Sequence, residues 1–375
     1  MNVCILTFDY PPHPVYGSGV YVDFLTTLLR KANHRVEIIT VNRFGLIQEK
    51  DAIFCECKYK QEATAIGKCI CSFGNMGCLN GLLKKTIARF EEEKFIPDVI
   101  YLNGYMFFDL AYSLKGIYKN AKLVSAIHYL VEQDNVLEDD PERKRIFDEE
   151  NRMLAYSDEI IYFGDLAYEL AEERKVCDMK KFNLIQHAFN VEIYNKTFKR
   201  NRRFVYASRL EPGKGIEFLC KAFEGVEEEF TFDIIGTGRL YRLIKEKYGR
   251  KFSVHGYQNK DFVLKYLQNA DFLILPSFSE HCPVVVLEGM AQGCIPILSN
   301  FGNLPNLIRK QSSGLIFNIE QQEDLFIANI KNAINYAMKL SDKEANDMIK
   351  TNYLLLQEYF SPKKMLESTL KVFDK

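Results

Sequence analysis

The chain has 375 residues, 47% hydrophobic and 26% charged, and exceeds the length at which one hydrophobic core usually stops growing. Its 49 lysines and arginines nearly balance 50 aspartates and glutamates, so no global field favours binding to nucleic acid or to an anionic membrane. No apolar run approaches the ~20 residues that span a bilayer, and the N-terminal VCILTF carries no basic leader. We therefore expect a cytoplasmic protein of two globular domains that does not bind nucleic acid.

The first half of the chain alternates buried-type strands with helices. NVCILTF (2–8) predicts a strand, VYVDFLTTLLRKAN (20–33) a helix and HRVEIITV (34–41) a second strand. Strand, helix and strand in about 40 residues form a βαβ unit, which implies a parallel sheet. Further strands are predicted at 98–104, 121–128, 159–164 and 183–188. Their continuous apolar character is typical of strands that helices cover on both faces.

A second series of strands and helices follows an irregular, basic segment, FNVEIYNKTFKRNRR (189–203). We place a domain boundary in it, with one domain at 1–195 and another at 196–357. The strands of the second series are predicted at 204–210, 230–236, 251–256, 271–277, 294–299 and 313–317. The prediction is an α/β chain of two doubly wound parallel sheets. Ligands bind such sheets beyond the carboxyl ends of the strands, so we expect a cleft between the two halves.

The loop RLEPGKG (209–215) carries the strongest local chemistry of the second half. It places Arg209 and Lys214 between a strand and a helix, with glycines on both sides of the lysine. Backbone N–H groups, a helix N-terminus and two cations suit a phosphate. A solvated turn with both cations facing water is the alternative. The later pair Gly236 and Gly238 lacks the third glycine of a dinucleotide fingerprint, because Tyr241 stands there, so NAD is not expected.

Two glutamates stand out in LPSFSEHCPVVVLEGMAQGCIPILS (275–299). We predict a loop that contains Glu280, a helix from Pro283 to Gln292 that contains Glu288, and a stop at Gly293. A loop carboxylate beyond a strand can bind sugar hydroxyls or balance positive charge on a ring carbon, and the helical carboxylate can accept hydrogen bonds from vicinal ribose hydroxyls. The alternatives are a helix-terminus charge for Glu280 and an exposed position for Glu288. Apolar neighbours of Glu288 nevertheless indicate that its carboxylate needs a partner.

The cysteines allow two interpretations. Core-like runs around Cys4, Cys220 and Cys294 predict reduced, buried thiols. A second set comprises Cys55, Cys57, Cys69, Cys71 and Cys78. Its Cys-x-Cys pairs could hold zinc, but the better-known structural sites use a wider spacing, which favours thiols on short strands. The acidic LEDDPE (137–142) predicts a solvated turn and no metal site.

Five motifs in order resemble the retaining glycosyltransferases of the GT-B fold, in particular family 4 (glycosyl transferases group 1). They are FDYPPHPVYGSGVYV (8–22), AKLVSAIHYL (121–130), HAFNVEIY (187–194), the Arg209 to Lys214 loop with the Glu280-x7-Glu288 pair, and EYFSPKKMLESTLKVF (358–373). The likeness extends over nearly the whole chain. It implies two Rossmann-like domains facing across a cleft, with the donor on the second domain. It also implies that the C-terminal helix, 358–375, returns to the first domain, which would bind the acceptor.

The resemblance also implies roles for individual residues. The implied donor-binding residues are Gly17, Ser18, Arg209, Lys214, Gly236, Tyr257, Leu287 and Glu288. The implied catalytic residues are Glu280, His128, Arg209 and Lys214. In this scheme Arg209 and Lys214 hold the diphosphate of a nucleotide sugar, Glu288 holds the ribose, and Glu280 faces the sugar.

The other implied contacts are less direct. Gly17 and Ser18 lie under the diphosphate, His128 approaches the sugar, and the base sits near Gly256 and Tyr257, while backbone groups near Leu287 complete the phosphate pocket. The sequence departs from the family pattern in several places. Ser18 replaces one of two paired glycines, and Asn103 stands where a histidine is frequent.

The implied reaction is retaining transfer of a sugar without a metal ion or other cofactor, in which the departing phosphate takes the acceptor proton on the same face. Three other readings stay open. A glycoside hydrolase would use the two glutamates as acid and nucleophile, but it has no diphosphate to hold. A nucleotide-sugar epimerase shares this fold, and a non-catalytic sugar-nucleotide binder would share the site without the reaction. We expect Arg209→Ala and Lys214→Ala each to depress turnover with the fold intact.

The sequence leaves more than one choice for the donor and for the acceptor. The donor is UDP-, GDP- or ADP-linked, and the acceptor is a glycan, a lipid-linked saccharide or a small molecule; the oligomeric state is open too. LNGLLKKTIARFEEE (79–93) predicts a helix whose Lys84, Lys85 and Arg89 could contact a membrane peripherally. An ordinary surface helix is the favoured alternative, because Glu91, Glu92 and Glu93 balance its basic residues.

Overall fold

A computed structural model describes residues 1–11, 17–42, 47–48, 50, 52–56, 76–131, 141–189, 191–278, 280, 283–308 and 313–375. These residues divide into two compact units. The first comprises Met1–Ile185 and Met365–Lys375, and the second comprises Gln186–Lys364.

The division after Ile185 comes earlier than the predicted boundary after residue 195, so the irregular segment 189–203 falls in the second unit. Its backbone explains why. The N–H of Phe189 donates to the carbonyl of Phe360, and the N–H of Tyr194 donates to the carbonyl of Ala291. Because these partners belong to the second unit, the segment is bound to that unit and is not a free linker.

The first unit is built around a parallel sheet. Its strands are β1 (Asn2–Thr7), β2 (Arg35–Asn42), β3 (Ile53–Glu56), β4 (Val99–Asn103), β5 (Lys122–Ile127), β6 (Glu159–Tyr162) and β7 (Phe182–Leu184). Its helices are α1 (Gly17–Lys31), α2 (Met76–Glu92), α3 (Phe108–Ile117), α4 (Pro141–Tyr156) and α5 (Asp165–Arg174), with most of α13 (Pro362–Asp374). In the described part of this unit the strand order is β3-β2-β1-β4-β5-β6-β7.

The second unit repeats this plan. Its strands are β8 (Arg203–Ala207), β9 (Thr231–Ile235), β10 (Ser253–Gly256), β11 (Phe272–Leu275), β12 (Ile295–Ser299) and β13 (Leu315–Phe317). Its helices are α6 (Ile216–Glu224), α7 (Tyr241–Tyr248), α8 (Lys260–Asn269), α9 (Val284–Ala291), α10 (Leu304–Leu307), α11 (Glu323–Lys339) and α12 (Asp342–Tyr359). The strand order is β10-β9-β8-β11-β12-β13, and the pairs are parallel.

The predicted fold class of two doubly wound parallel sheets is confirmed. In each sheet the chain first winds outward in one direction, returns to the centre, and then winds in the other direction. The reversal lies between β1 and β4 in the first unit and between β8 and β11 in the second. Ligands bind at such switch points because the loops diverge there and leave a crevice beyond the strand ends.

Each unit has its own hydrophobic core, formed largely by strands that are buried on both faces. In the second unit the ring of Phe223 on α6 lies 4.2 Å from that of Phe232 and 5.2 Å from that of Phe204. In the first unit Leu82 and Phe90 of α2 are buried against the sheet. The apolar stripe of α2 is therefore used within the unit, which favours the ordinary surface helix over the membrane-binding one. Among the helices described, none is long and apolar enough to cross a membrane.

The end of the chain packs on the first unit, to which Met365–Lys375 belong. The ring of Phe373 on α13 lies 5.9 Å from that of Tyr101 on β4. The ammonium of Lys122 on β5 donates to the carbonyl of Phe373 at 2.8 Å. A lysine at this place satisfies a terminal helix carbonyl and complements the negative end of the helix dipole. The expected return of the C-terminal helix is thus observed from Met365 onward, while residues 358–364 belong to the second unit.

Replacing Phe373, which is 4% exposed, with alanine tests this docking. We expect Phe373→Ala to lower the free energy of unfolding of the first unit by about 3–5 kcal/mol, because it opens a cavity beside Tyr101. Urea unfolding followed by hydrogen exchange in β4 measures that unit separately from the second. Lys371→Ala on the same helix, at an exposed position, serves as the control and should change stability by less than about 0.5 kcal/mol. Equal effects of the two variants would contradict the docking.

Candidate functional site

All of the site residues predicted in the second unit follow the carboxyl ends of strands. Arg209 and Lys214 follow β8, Gly236 follows β9, Tyr257 follows β10, and Glu280, Leu287 and Glu288 follow β11. Because the strands are parallel, their carboxyl ends lie at one edge of the sheet. The loops after β8 and β11 flank the switch point, and they carry the predicted cations and both glutamates.

Glycine geometry brings these two loops into contact. The β8 loop makes a 3-10 turn at Pro212–Lys214 and continues into Gly215, whose φ of +69° lies in the left-handed region. A Cβ at Gly215 would lie 2.2 Å from the carbonyl oxygen of Pro276, so no other residue fits without a backbone shift. The N–H of Phe278 donates to the carbonyl of Gly213 at 3.1 Å. The predicted phosphate loop is therefore also the element that fixes the start of the glutamate loop.

An ion pair joins the two loops. The Nζ of Lys214 lies 2.7 Å from the Oε1 of Glu280, and each side chain is 10% exposed. The sequence predicts that Lys214 binds phosphate and that Glu280 binds a sugar, and the structure brings the two side chains together. The burial of Lys214 also excludes the solvated-turn alternative for this residue, since that alternative has it facing water.

Two serines that sequence reasoning missed support Glu280. The hydroxyl of Ser277 donates to Oε1 of Glu280 at 3.3 Å, and the hydroxyl of Ser299 donates to the carbonyl of Ser277. Gly302, with φ +51°, packs so closely that a Cβ there would lie 2.7 Å from the carbonyl oxygen of Glu280. Buried charges need such additional hydrogen bonds and close packing, because burial removes their hydration. Glu280 is thus held by the loop after β12 as well as by Lys214.

Arg209 differs from Lys214 in its surroundings. It is exposed, and its carbonyl accepts a hydrogen bond from the hydroxyl of Tyr206 at 2.9 Å. Burial, and next the negative charge of Glu280, raise the pKa of Tyr206 well above its ordinary value, which keeps the phenol protonated as a donor. The backbone of Arg209 is therefore anchored to β8. The contact of its guanidinium with a phosphate stays a prediction.

Glu288 has a partner, as its apolar neighbours indicated. Its Oε1 lies 3.2 Å from the Nζ of Lys260, and its side chain is 13% exposed. The sequence did not point to Lys260. The preceding residue, Leu287, is fully buried in the core of the unit. Its side chain is therefore not available to a ligand, and the contact of its backbone groups with a phosphate stays a prediction.

The helix that carries Glu288 begins one residue later than predicted. Pro283 occupies the N-cap position with φ −68° and ψ 108°, and α9 begins at Val284. An extended ψ at the proline explains the difference, because the residue has not yet entered the helix. The predicted stop is confirmed, since Gly293 has a left-handed φ of +80° directly after the C-cap. His281 and Cys282 lie outside the described residues.

Gly236 joins the β8 and β9 loops. Its φ is +143°, its N–H donates to the carbonyl of Gly256 at 2.8 Å, and a Cβ there would lie 1.9 Å from the carbonyl oxygen of Ser208. This glycine is required by the packing of the strand ends. Tyr257 is 77% exposed, so its ring is accessible to a ligand at the same edge. Contacts of either residue with a nucleotide stay predictions.

In the first unit His128 follows β5 and belongs to a hydrogen-bonded network at the strand ends. Its Nε2 lies 2.7 Å from the Oδ1 of Asn103, and because that oxygen can only accept, Nε2 carries the proton. The amide of Asn103 donates to the hydroxyl of Thr7 at 3.1 Å. The imidazole also stacks on Phe163, with ring centroids 4.4 Å apart. Asn103, which departs from the family pattern, thus helps to orient His128, whose contact with a sugar stays a prediction.

Gly17 and Ser18 open α1. Gly17 is exposed, and a Cβ built there meets nothing within 4 Å among the described residues. The packing of the described part of this unit therefore does not require a glycine at this position. The contacts of Gly17 and Ser18 with a diphosphate stay predictions.

The cysteines are only partly described. Cys4, Cys220 and Cys294 are buried free thiols, as predicted, and burial raises the pKa of Cys294 to about 12. Cys55 lies on β3, whereas Cys57, Cys69, Cys71 and the side chain of Cys78 lie outside the described residues. Most of the acidic segment 137–142 lies outside them too. In the part of the chain that is described, no group of three or more potential metal-ligating side chains comes together.

The ion pair of Lys214 changes one expectation about variants. We expect Lys214→Met to destabilise the second unit by about 3 kcal/mol, because Glu280 is left buried without its counter-charge. Adding Glu280→Gln should recover most of that loss, since an amide needs no counter-ion. Urea unfolding of the single and double variants measures the difference, and Arg209→Ala, at an exposed position, should stay within about 0.5 kcal/mol of the wild type. An unchanged stability in Lys214→Met would mean that the pair does not form in solution.

Comparison with known proteins agrees with this architecture. Residues 192–354 match the family model described as glycosyl transferases group 1. A glycogen synthase of Aquifex aeolicus is 27% identical over 135 residues, which are 34% of this chain and 29% of that protein. An uncharacterized glycosyltransferase of Methanocaldococcus jannaschii is 30% identical over 147 residues, or 38% of this chain and 41% of that protein. The match spans less than half the length of these curated relatives.

Solved structures resemble the whole chain. Sucrose-phosphate synthase from Thermosynechococcus elongatus has a TM-score of 0.80 at 16% identity and covers 100% of this chain and 98% of that one. Anabaena HepE in complex with UDP-glucose has a TM-score of 0.75 at 14% identity, with 100% and 99% covered. At these identities the likeness shows the fold alone, and the predicted GT-B fold class is confirmed.

Proposed function

We propose that the protein is a retaining, metal-independent glycosyltransferase, because residues 192–354 match the family model of the glycosyl transferases group 1 and the chain has a GT-B fold. It moves a sugar from a nucleotide-sugar donor to a saccharide, lipid-linked or small-molecule acceptor. The observation that carries the proposal is the buried contact of Lys214 with Glu280 at the β8/β11 switch point. It combines, in one place, a cation for a leaving phosphate and a carboxylate for a sugar.

The reaction separates charge, and the two side chains match it. Breaking the bond between the anomeric carbon and the phosphate oxygen sends the electron pair to the diphosphate and leaves positive charge on the sugar ring. Lys214 stabilises the diphosphate, and Glu280 stabilises the ring. The acceptor hydroxyl then bonds to the anomeric carbon on the same face, and its proton goes to the departing phosphate oxygen. The products are a glycoside and a nucleoside diphosphate.

Preorganisation supports this assignment. The 2.7 Å contact keeps the lysine ammonium at the switch point before a donor arrives. Diphosphate carries more negative charge than one carboxylate, so it attracts the ammonium more strongly and can replace Glu280 as its partner. A charge that is already in position costs little reorganisation in the transition state.

The donor is a nucleotide sugar whose ribose binds Glu288. UDP is the first candidate, because HepE, a protein of similar fold, has been solved in complex with UDP-glucose. GDP- and ADP-linked sugars are the others. The exposed ring of Tyr257 at the end of β10 is the side chain we assign to the base.

Arg209→Ala tests the anion site without disturbing the buried pair. We expect its kcat for release of nucleoside diphosphate from UDP-, GDP- or ADP-sugars to fall about 100-fold, because one charged donor to the leaving group is lost. Arg242→Ala, which removes an 88% exposed arginine of α7, is the matched control and should retain wild-type turnover. A coupled assay of nucleoside diphosphate measures both. Wild-type rates in Arg209→Ala would refute the assignment. So would a wild-type protein that converts the donor into an epimeric nucleotide sugar and releases no nucleoside diphosphate.

Metal independence is tested with the unmodified protein. Lys214 and Arg209 supply fixed positive charge at the leaving group, so we expect the rate of diphosphate release to stay within about twofold after excess chelator is added. Activity that disappears with chelator and returns only with magnesium or manganese would show that a divalent ion performs this task.

A further inference from the structure

The structure contains a second lysine–glutamate contact that the proposed reaction has not used. Lys260, at the start of α8, lies 3.2 Å from Glu288. We propose that Lys260 is a positioning residue that holds the Glu288 carboxylate in the orientation that binds the ribose of the donor nucleotide. The inference rests on the proposed function, because it needs a ribonucleotide ligand.

The surroundings of Lys260 fix where its side chain starts. Asn259 is the N-cap of α8, and its side-chain oxygen accepts a hydrogen bond from the N–H of Phe262 at 2.9 Å. The side chain of Gln258 donates to the carbonyl of His255 on β10 at 2.9 Å. These contacts hold the short connection between β10 and α8 at both ends. Lys260 therefore approaches Glu288 from a defined direction.

The fold gains little from a lysine at this position. A cation at a helix N-terminus faces the positive end of the helix dipole, which disfavours it. The ammonium side chain is 43% exposed, and ion pairs of this kind contribute little to stability because water screens them. A role at the carboxylate explains the lysine better than stability does.

The carboxylate benefits more from the contact. Glu288 is 13% exposed, and its neighbours on α9, Leu287 and Gly289, are buried, so its carboxylate is largely removed from water and the contact with Lys260 can orient it. A carboxylate has two oxygens with about four acceptor positions, and one contact at Oε1 leaves capacity for two ribose hydroxyls. Holding the side chain in one rotamer before binding removes an ordering cost that the ligand would otherwise have to offset. Lys260 thus acts on affinity for the ribose hydroxyls and not on the bond that breaks.

A positioning role for Lys260 and a direct contact of Lys260 with phosphate have different effects on nucleotide affinity. Loss of a positioning residue lowers the affinity for ribonucleotides more than the affinity for 2′-deoxyribonucleotides, because its effect passes through Glu288 to the 2′-hydroxyl. A phosphate ligand would affect both classes equally. The ratio of the two affinities therefore separates the two roles.

The test uses the full chain and titration calorimetry with UDP, GDP, ADP and their 2′-deoxy forms. We expect the wild type to bind its preferred ribonucleotide roughly tenfold more tightly than the deoxy form. In Lys260→Ala the affinity for the ribonucleotide should fall by about three- to tenfold and the affinity for the deoxy form much less, so the ratio of the two affinities falls. Lys260→Arg should keep most of the ratio, and Lys265→Ala, which removes an exposed lysine of the same helix, should keep all of it. With a sugar donor, Lys260→Ala should raise KM and leave kcat within about twofold.

A double-mutant cycle tests whether the effect passes through Glu288. Lys260→Ala added to Glu288→Gln should cause no further loss of affinity, because the group it positions is already altered. Equal weakening of ribo- and deoxyribonucleotides, or additive losses in the double variant, would overturn the inference while leaving the proposed function intact. Absence of binding to all three nucleoside diphosphates by the wild type would overturn the proposed function, and the inference with it.

Discussion

A buried lysine ammonium must have a counter-charge, and this requirement organises the second unit around the pair of Lys214 and Glu280. The lysine comes from the loop after β8 and the glutamate from the loop after β11, the two strands at which the winding of the sheet reverses. Contact between the loops requires Gly215, since a side chain there would collide with the carbonyl of Pro276. The fold thus concentrates fixed charge at the place where this type of sheet leaves room for a ligand.

Two lysine–glutamate contacts follow one plan. Each glutamate of the Glu-x7-Glu pair contacts a lysine that follows another strand: Glu280 contacts Lys214 in the loop after β8, and Glu288 contacts Lys260 at the start of α8, after β10. The contact of Lys214 with Glu280 is buried, and it affects both the stability of the unit and the proposed reaction. In the other contact the side chain of Lys260 is nearly half exposed, and its proposed effect is to orient Glu288. Charged side chains that follow three strands, β8, β10 and β11, therefore meet around the segment from Glu280 to Glu288. In the proposed reaction one pair serves the leaving group and the sugar, and the other serves the nucleoside.

Local pattern predicted most of the strands, because a strand covered by helices on both faces must be continuously apolar, as Val99–Asn103 and Ile295–Ser299 are. Hydrophobic pattern did not point to the strand Ile53–Glu56, which has only four residues and lies at the sheet edge, where that constraint is weak; the cysteine pattern favoured a short strand there, and Cys55 lies on it. Lys214, Glu280 and Glu288 were predicted because charge next to glycine, or next to or within an apolar helix, is conspicuous. Their partners Lys260 and Ser277 were not, because contacts between loops from different strands leave no periodic signal in the chain. The domain division differed because backbone hydrogen bonds of Phe189 and Tyr194 are likewise invisible in the sequence.

In the proposed reaction Lys214 exchanges the Glu280 carboxylate for the diphosphate of the donor. A crystal structure of the wild-type protein with a bound nucleoside diphosphate measures this directly. We expect the Lys214 ammonium to lie within hydrogen-bonding distance of a phosphate oxygen, and the ribose hydroxyls to bind Glu288. A diphosphate bound elsewhere, with Lys214 still paired only to Glu280, would contradict it.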